Sequence, residues 1–229
     1  MSLRVAADAN PSDGAMRWER WVTPPRQERA RLTFERVLDA GAALLSEAGY
    51  EGFSMTEVCR RASVAPGTLY GRVEGKDELF LALHDRELER ITHRGLAQLE
   101  EFWPRRLSTR RLVEEVVAFL CRHFSQEQAL LRVFILRAAA DPRVRDEGAH
   151  YVALLEEGVV ALLATRSADF SRRDVDKAVR TAYSIVVDSL SWRTAFRADF
   201  HRHGDQTEAD WQRRLIDVVL AYLFTPPAR

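Results

Sequence analysis

Apolar residues recur at helical spacing along almost the whole chain after position 25. A period near 3.6 residues places them on one face of each helix and predicts amphipathic helices rather than strands. The pattern breaks at Gly49, Pro104 and the pair Asp141-Pro142, which are residue types that end helices or open turns. The predicted helices span 27–48, 55–62, 66–72, 76–103, 109–124, 126–140, 143–165, 172–198 and 208–224. We therefore expect an all-α fold. Residues 1–25 carry breakers such as Pro11, Gly14 and Pro24-Pro25, so we expect a flexible N-terminal tail there.

A compact motif lies between Ser54 and Val73. Ser54 and Glu57 have the spacing of a capping box, which starts a short helix. The three residues 63–65 form a turn, and Pro66 suits the first position of a second helix because its missing N–H costs nothing there. Two helices this short are not stable alone. We expect the helix 27–48 to support them, which gives a three-helix unit.

The second short helix of this motif is suited to the DNA major groove. Its first residues are small, so its N-terminus can approach the bases closely, and Thr68 is placed to touch a base edge or a thymine methyl. Tyr70, Arg72 and Lys76 offer donors to phosphates. A simpler interpretation is a packing unit with Thr68 and Tyr70 as ordinary surface residues. The predicted DNA-contacting residues are Thr56, Ala65, Pro66, Gly67, Thr68, Tyr70, Arg72 and Lys76.

The motif resembles the N-terminal DNA-binding domain of the TetR family over about residues 27–82. The matching positions are Gly49, Phe53, Ser54, Val58, Val64, Gly67-Thr68-Leu69-Tyr70 and Lys76. Ser63 stands where the family has a turn glycine, and Cys59, Arg72 and Val73 also depart from its pattern. The resemblance implies a DNA-binding domain over 26–83, with its helix-turn-helix at 54–73. It also implies a ligand-binding and dimerisation domain over 84–229, in a repressor that a small molecule releases from its operator. Trp18 and Trp21 either pack on the first domain or lie near DNA.

The C-terminal helices carry more apolar surface than a single chain covers. The helix 126–140 is apolar nearly all round, which is typical of a buried helix. The helices 172–198 and 208–224 each have two apolar stripes, and one of the two requires a partner. We expect a homodimer through these two helices, bound to a palindromic operator.

Aromatic residues in the same region suggest a cavity for an apolar or aromatic effector. A few polar side chains among them are candidates for orienting a ligand. An aromatic stripe at helical spacing is also what an ordinary core contains, so both interpretations stay open. The candidate pocket residues are Phe102, Trp103, Phe119, His123, Phe134, Arg137, Tyr151, Tyr183, Asp188 and Trp192.

Composition narrows the functional classes further. The net charge is zero, and the basic side chains are arginine except for Lys76 and Lys177. Cys59 and Cys121 have no metal-ligand spacing, so we expect reduced core thiols, no metal and no cofactor. No signal peptide or membrane span is apparent, and we expect a cytoplasmic protein that is nucleoid-associated when bound to DNA.

Two alternatives to a ligand-released repressor remain at this point. One is a ligand-independent regulator or an activator of the same fold. Another is a helical small-molecule-binding protein without DNA binding. An enzyme is disfavoured because Glu147 and His150 form one Glu-x-x-His, whereas a di-iron bundle needs two such pairs and two further glutamates.

Overall fold

The computed structural model describes residues 17–25, 27–103, 105–196 and 207–226. Within these ranges the regular elements are helices, which confirms the all-α fold. A short 3-10 helix, Arg17–Trp21, comes first. The α-helices are α1 (Glu28–Gly52), α2 (Met55–Ala62), α3 (Pro66–Tyr70), α4 (Lys76–Glu100), α5 (Thr109–Gln126), α6 (Gln128–Ala138), α7 (Pro142–Ala164), α8 (Val175–Phe196) and α9 (Glu208–Phe224).

The helix ends follow the local signals in the sequence. Gly49 has a φ of 66°, so the regular path of α1 breaks there, one residue after the predicted end. Ser108 caps α5, and Thr207 and Asp210 form a reciprocal capping box at the start of α9. Helices α3 and α4 end two and three residues earlier than predicted, at Tyr70 and Glu100.

The chain divides into two compact units. Of the described residues, those within 17–91 and 129–151 form the first unit, and those within 92–128 and 152–226 form the second. The boundary predicted at 83/84 differs from this division, because α6 and the start of α7 belong to the first unit. The reason is aromatic packing: Phe134 of α6 makes edge contacts with Phe80 and His84 of α4, with ring centroids 6.0 and 4.8 Å apart.

The first unit contains the helix-turn-helix. Val58 of α2 is fully buried, and Leu69 of α3 is nearly so. Glycine at position 41 allows α1 and α4 to approach closely, because a Cβ there would lie 2.7 Å from a methyl carbon of Leu83. The three-helix support predicted for the two short helices is therefore present.

Residues 17–25, the described part of the predicted flexible tail 1–25, pack against the first unit. Trp18 is 3% exposed and stacks on Phe34 of α1, with ring centroids 5.8 Å apart. The Nε1 of Trp21 donates a hydrogen bond to Asp85 of α4. Burial of the Trp18 ring and the hydrogen bond of the half-buried Trp21 ring hold residues 17–25 against the first unit, and they favour the packing interpretation of both tryptophans. Pro11 and Gly14 lie outside the described residues.

The second unit has its core between α5, α8 and α9. Val179, Val186 and Leu190 of α8 are buried there, together with Val219 and Leu223 of α9. The chain itself thus covers one of the two apolar stripes on each helix. The other stripes retain exposed apolar side chains, which include Trp192, Phe196 and Val218. No helix within the described ranges is long and apolar enough to cross a membrane.

Candidate nucleic-acid interface

Helix α2 is fixed at both ends by its own sequence. The Ser54 hydroxyl accepts a hydrogen bond from the Glu57 amide, as a cap requires. The Glu57 carboxylate accepts hydrogen bonds from Arg60 and Arg61, which lower its pKa to about 2. Arg61 also pairs with Glu47 of α1 at 2.7 Å. These contacts hold α2 against α1.

The turn after α2 uses a serine in the left-handed conformation. Ser63 has a φ of 54° and is the only non-glycine residue with positive φ among the described residues. Its amide donates to Arg60, and the Val64 amide donates to Cys59. The turn therefore closes without the glycine that the family pattern has at this position, at the cost of some backbone strain.

Helix α3 presents its polar side chains outward. Leu69 is 1% exposed and anchors the helix, whereas Tyr70 is 54% exposed. Thr68 is also exposed, and so are Ala65, Pro66 and Gly67 at the start of the helix. An added Cβ at Gly67 would meet no atom within 4 Å, so open space lies in front of this end. Thr56 of α2 lies on the surface as well.

Arg72 and Lys76 are half-buried and each has a fixed partner. Arg72 donates from Nη1 to the Thr23 carbonyl oxygen at 3.1 Å. Lys76 donates from Nζ to the Tyr50 carbonyl oxygen at 2.8 Å and lies 4.2 Å above the centroid of the Tyr50 ring. One hydrogen bond leaves the remaining donors of each cation available to a phosphate.

A second cation also lies over the Tyr50 ring. The guanidinium of Arg137, on α6, lies 4.2 Å from the ring centroid. The Tyr50 hydroxyl donates to Asp77, and burial together with this hydrogen bond raises the pKa of Tyr50 to about 12. Tyr50 is thus a neutral spacer that sets the position of Lys76 at the start of α4. The sequence analysis did not identify this role for Tyr50.

A cleft of about 230 Å³ separates α1 from α3. Thr68 and Arg72 form one wall, and Arg29 and Thr33 of α1 form the other. The sequence analysis noted the arginines of 26–36 only as a basic approach surface. Arg31 pairs with Glu28 at 2.9 Å, and Arg26 lies outside the described residues. Arg29 therefore contributes positive charge beside α3. The helical register of α1, which places Arg29 and Thr33 on one face, is the signal in the sequence that could have identified this wall of the cleft.

The residues predicted to form an effector pocket are distributed over both units. Phe102, Phe119 and His123 are buried in the second unit, where Phe119 contacts both of the other rings. Tyr183 is buried in the same unit and donates from its hydroxyl to the Val152 carbonyl oxygen at 3.1 Å. Trp103 is half-buried.

The other predicted pocket residues have different surroundings. Phe134, Arg137 and Tyr151 belong to the first unit. Asp188 and Trp192 lie on the surface of the chain, so the structure does not place them in an enclosed cavity with the buried aromatic rings. Their positions on α8 follow from the helical register: both fall on the face that the chain leaves uncovered.

A second cleft, of about 180 Å³, lies between α5 and α8. Its walls include Cys121, Phe124, Leu190 and Arg193. None of the predicted pocket residues lines it. Burial raises the pKa of the Cys121 thiol to about 11, so this thiol lines the cleft but is unreactive.

One acidic residue of the first unit that suggested a metal site forms ion pairs instead. Glu147, half of the Glu-x-x-His pair noted in the sequence, accepts from Arg17 at 2.8 Å and from Arg20 at 2.5 Å. Among the described residues, no cluster of three or more His, Cys, Asp and Glu side chains is arranged to hold a metal ion.

Comparison with known proteins identifies relatives of the N-terminal region. Residues 37–83 match the model of the family described as bacterial regulatory proteins, tetR family. The chain is 48% identical to the transcriptional repressor KstR of Rhodococcus jostii over 61 residues, which are 27% of this chain and 29% of that protein. It is 29% identical to the transcriptional regulator UidR of Escherichia coli over 118 residues, which are 52% of this chain and 58% of UidR. The chain thus matches less than two thirds of the length of either relative.

Similarity of fold extends over most of the chain. A solved TetR-family structure from Mesorhizobium loti aligns with 86% of this chain and 97% of its own, with a TM-score of 0.65. The two sequences are 16% identical in this alignment, so the similarity describes the fold alone.

Proposed function

Because the chain belongs to the TetR family of bacterial transcriptional regulators, we propose that it is a sequence-specific DNA-binding repressor that acts on a palindromic operator. The observation that carries the proposal is the side-chain arrangement of α3, in which Leu69 is buried while Thr68 and Tyr70 are exposed. Open space in front of Gly67 leaves the start of α3 accessible to base edges. Its place of action is then the nucleoid.

Each predicted contact has a separate role in this proposal. Thr68 reads a base edge or a thymine methyl, and the exposed small residues 65–67 allow that approach. Tyr70, Arg72 and Lys76 bind phosphates, so they set affinity rather than sequence preference. Arg29 and Thr33 extend the phosphate surface along the cleft beside α3.

The experiment is selection of DNA from a random duplex library, followed by titration with the selected and a scrambled duplex. We expect an inverted repeat and at least about a thousandfold preference for the selected duplex, which is the lower end of the usual range for specific DNA binding. Thr68→Ala should reduce that preference, and Tyr70→Phe should weaken binding to both duplexes alike. Enrichment of no sequence, or equal binding of both duplexes, would contradict the proposal.

The same proposal includes a homodimer formed through α8 and α9. Exposed apolar side chains on both helices, including Trp192 and Val218, support it. Two recognition helices on one inverted repeat also require a dimer with about 34–36 Å between half-sites. Light scattering at micromolar concentration should give twice the mass of the chain.

We also propose that an apolar or aromatic effector binds the second unit and weakens operator binding. Aromatic rings are numerous in this unit, and the cleft beside Phe124 and Leu190 is one candidate entry. Helix α4 contributes residues to both units, since it runs from Lys76 to Glu100, so we assign it the transmission of the signal.

Reciprocity provides the test for an effector. A compound that weakens operator binding by a given factor must bind the operator complex more weakly by the same factor. Calorimetry with and without operator measures both. A compound whose affinity is the same in the two titrations is not an effector. If every compound that binds tightly behaves in this way, the protein is a ligand-independent regulator. Transcription in vitro from the selected operator separates repression from activation.

A further inference from the structure

Residues 17–25 form a segment that we call the N-terminal strap. It precedes α1 and packs on the first unit, with Trp18 buried against Phe34 of α1. Its short 3-10 helix ends at Trp21, and its last residues are Pro24 and Pro25. The strap lies outside the region that matches the family model, which begins at residue 37.

One end of the strap is anchored by a cluster of charges. Arg20 donates to Asp85 Oδ2 at 2.7 Å, and Trp21 donates to the same oxygen at 2.8 Å. Arg17 and Arg20 both pair with Glu147 of α7. The Asp85 side chain is 0% exposed. Burial alone would raise the pKa of Asp85, but the nearby His84 ring, 3.6 Å away, and hydrogen bonds from Trp21 and Arg20 lower it below the usual value. The carboxylate is therefore charged at neutral pH and depends on the strap for two of its partners.

The other end of the strap contacts the residue that follows α3. The Thr23 amide donates to the Arg72 carbonyl oxygen at 2.8 Å, and Arg72 Nη1 donates to the Thr23 carbonyl oxygen at 3.1 Å. This two-way bridge fixes both the main chain and the guanidinium of Arg72. Helix α3 has five residues and is too short to hold its own end in place.

We propose that the N-terminal strap positions the recognition helix for DNA, with Arg20 and Trp21 as positioning residues. This inference rests on the proposed function. The charge cluster on Asp85 and Glu147 keeps the strap docked, and the docked strap holds Arg72 and the end of α3 in the binding geometry. A protein with an undocked strap binds operator more weakly in proportion to the population that has lost this geometry.

The first experiment compares Arg20→Gln with Arg145→Gln in operator titrations. Both variants lose one positive charge, but Arg145 lies on α7 with its side chain 59% exposed and pairs with Asp146, not with Asp85 or Glu147. We expect Arg20→Gln to raise the operator Kd about three- to tenfold relative to Arg145→Gln. This is the change expected if the strap is docked in only about a third to a tenth of the molecules. Equal affinities of the two variants would overturn the inference.

Glu147→Gln against Asp146→Asn provides a test with opposite signs. Each variant removes one negative charge from adjacent positions, and simple electrostatics strengthens DNA binding in both. Asp146 is exposed and has no partner in the strap. We expect Glu147→Gln to weaken operator binding about threefold and Asp146→Asn to leave it equal or slightly stronger. Strengthening by both variants would overturn the inference.

Hydrogen exchange in the absence of DNA separates positioning from a general loss of stability. We expect the amides of Thr23 and Arg72 to exchange faster in Arg20→Gln, while the Val58 amide of α2 keeps its rate. Uniformly faster exchange, or no change at Thr23 and Arg72, would overturn the inference even if affinity falls. Failure of the unmutated protein to bind any selected DNA overturns the proposed function, and the inference with it. Normal binding that is insensitive to the strap variants overturns the inference alone.

Discussion

Lys76 Nζ donates a hydrogen bond of 2.8 Å to the main-chain carbonyl oxygen of Tyr50, and it lies over the ring of the same residue. This relationship joins the C-terminal part of α1 to the first residue of α4. It holds a flexible side chain at a helix N-terminus, where main-chain amides also attract an anion. A lysine whose stem is already ordered loses less conformational entropy when it binds a phosphate.

The first prediction concerns this lysine. Lys76→Met keeps most of the apolar stem and removes the charge. We expect weaker binding to operator and scrambled DNA alike, and a salt dependence reduced by about one phosphate. Loss of the contact with the Tyr50 ring should lower the free energy of unfolding by about 0.5–1 kcal/mol. Lys177→Met, on α8, is the matched control and should leave the salt dependence unchanged.

A second prediction uses the space in front of α3. Gly67→Ala adds a methyl group that meets no atom of the protein within 4 Å. The variant should therefore be as stable as the unmutated protein or more stable, by up to about 1 kcal/mol. If the start of α3 enters the major groove, the same methyl group should reduce operator affinity at least tenfold. Gly148→Ala, whose added Cβ has similar room on α7, should leave operator affinity unchanged. Normal operator binding by Gly67→Ala would contradict a close approach of this helix end to DNA.

The third prediction follows from the two residues that have a positive φ in the described part of the chain. Ser63 adopts φ 54° in the turn, whereas Gly49 adopts φ 66° in α1. Ser63→Gly relieves the left-handed strain and should raise the free energy of unfolding by about 0.5–1 kcal/mol. Gly49→Ala forces an alanine to φ 66° and ψ −174°, a region essentially restricted to glycine, and should lower the free energy of unfolding by about 1–3 kcal/mol. Urea titrations measure both changes, and shifts of the same sign would contradict this account of the turn.

Local signals in the sequence were sufficient for the helix-turn-helix. Ser54 at a cap, Pro66 at a first helical position and Leu69 as an anchor each determine local conformation or burial, so sequence spacing alone located α2 and α3. Surface position could be predicted for Thr68 and Tyr70 for the same reason, because neighbours of a buried leucine on a short helix point outward.

Long-range contacts account for what the sequence analysis did not predict. The strap depends on Trp21 meeting Asp85 across 64 positions, and no local pattern encodes that pairing. The assignment of α6 to the first unit depends on Phe134 meeting Phe80 and His84. The sequence of a helix that is apolar on most sides indicates that the helix is buried, but it does not indicate which other elements bury it. The residues predicted to line an effector pocket include both buried and exposed side chains for a related reason: Trp192 and Tyr183 share one helix but lie on different faces.

A fourth prediction concerns acid. Hydrogen bonds and charges from the strap lower the pKa of Asp85 and of Glu147, in each case against the opposing effect of burial. A carboxyl whose pKa is lowered in the folded state stabilises the fold above its unfolded pKa, and the stabilisation is lost as pH falls through the folded value. We expect the strap to undock as pH falls below about 4, where unperturbed Asp and Glu titrate. Fluorescence of Trp18 and Trp21 should report the transition. The fluorescence transition should be less steep with pH in Glu147→Gln than in Asp146→Asn, because only Glu147→Gln removes a titrating partner of the strap.

The last prediction distinguishes the two apolar stripes of α9. Val218 and Val219 are neighbours in sequence, but Val218 is 52% exposed and Val219 is 2% exposed. Val219→Arg places a charge in the core formed by α5, α8 and α9, so it should cost about 4 kcal/mol or more and prevent folding, as should arginine at the buried Val186. Val218→Arg should change the stability of the single chain by no more than about 0.5 kcal/mol, because the side chain already faces outward. If α8 and α9 form the dimer interface, Val218→Arg places like charges across it and should yield a folded monomer that no longer binds the inverted repeat. Circular dichroism and light scattering on the same samples separate these outcomes. A Val218→Arg protein that stays dimeric and binds operator normally would place the dimer interface elsewhere on the chain.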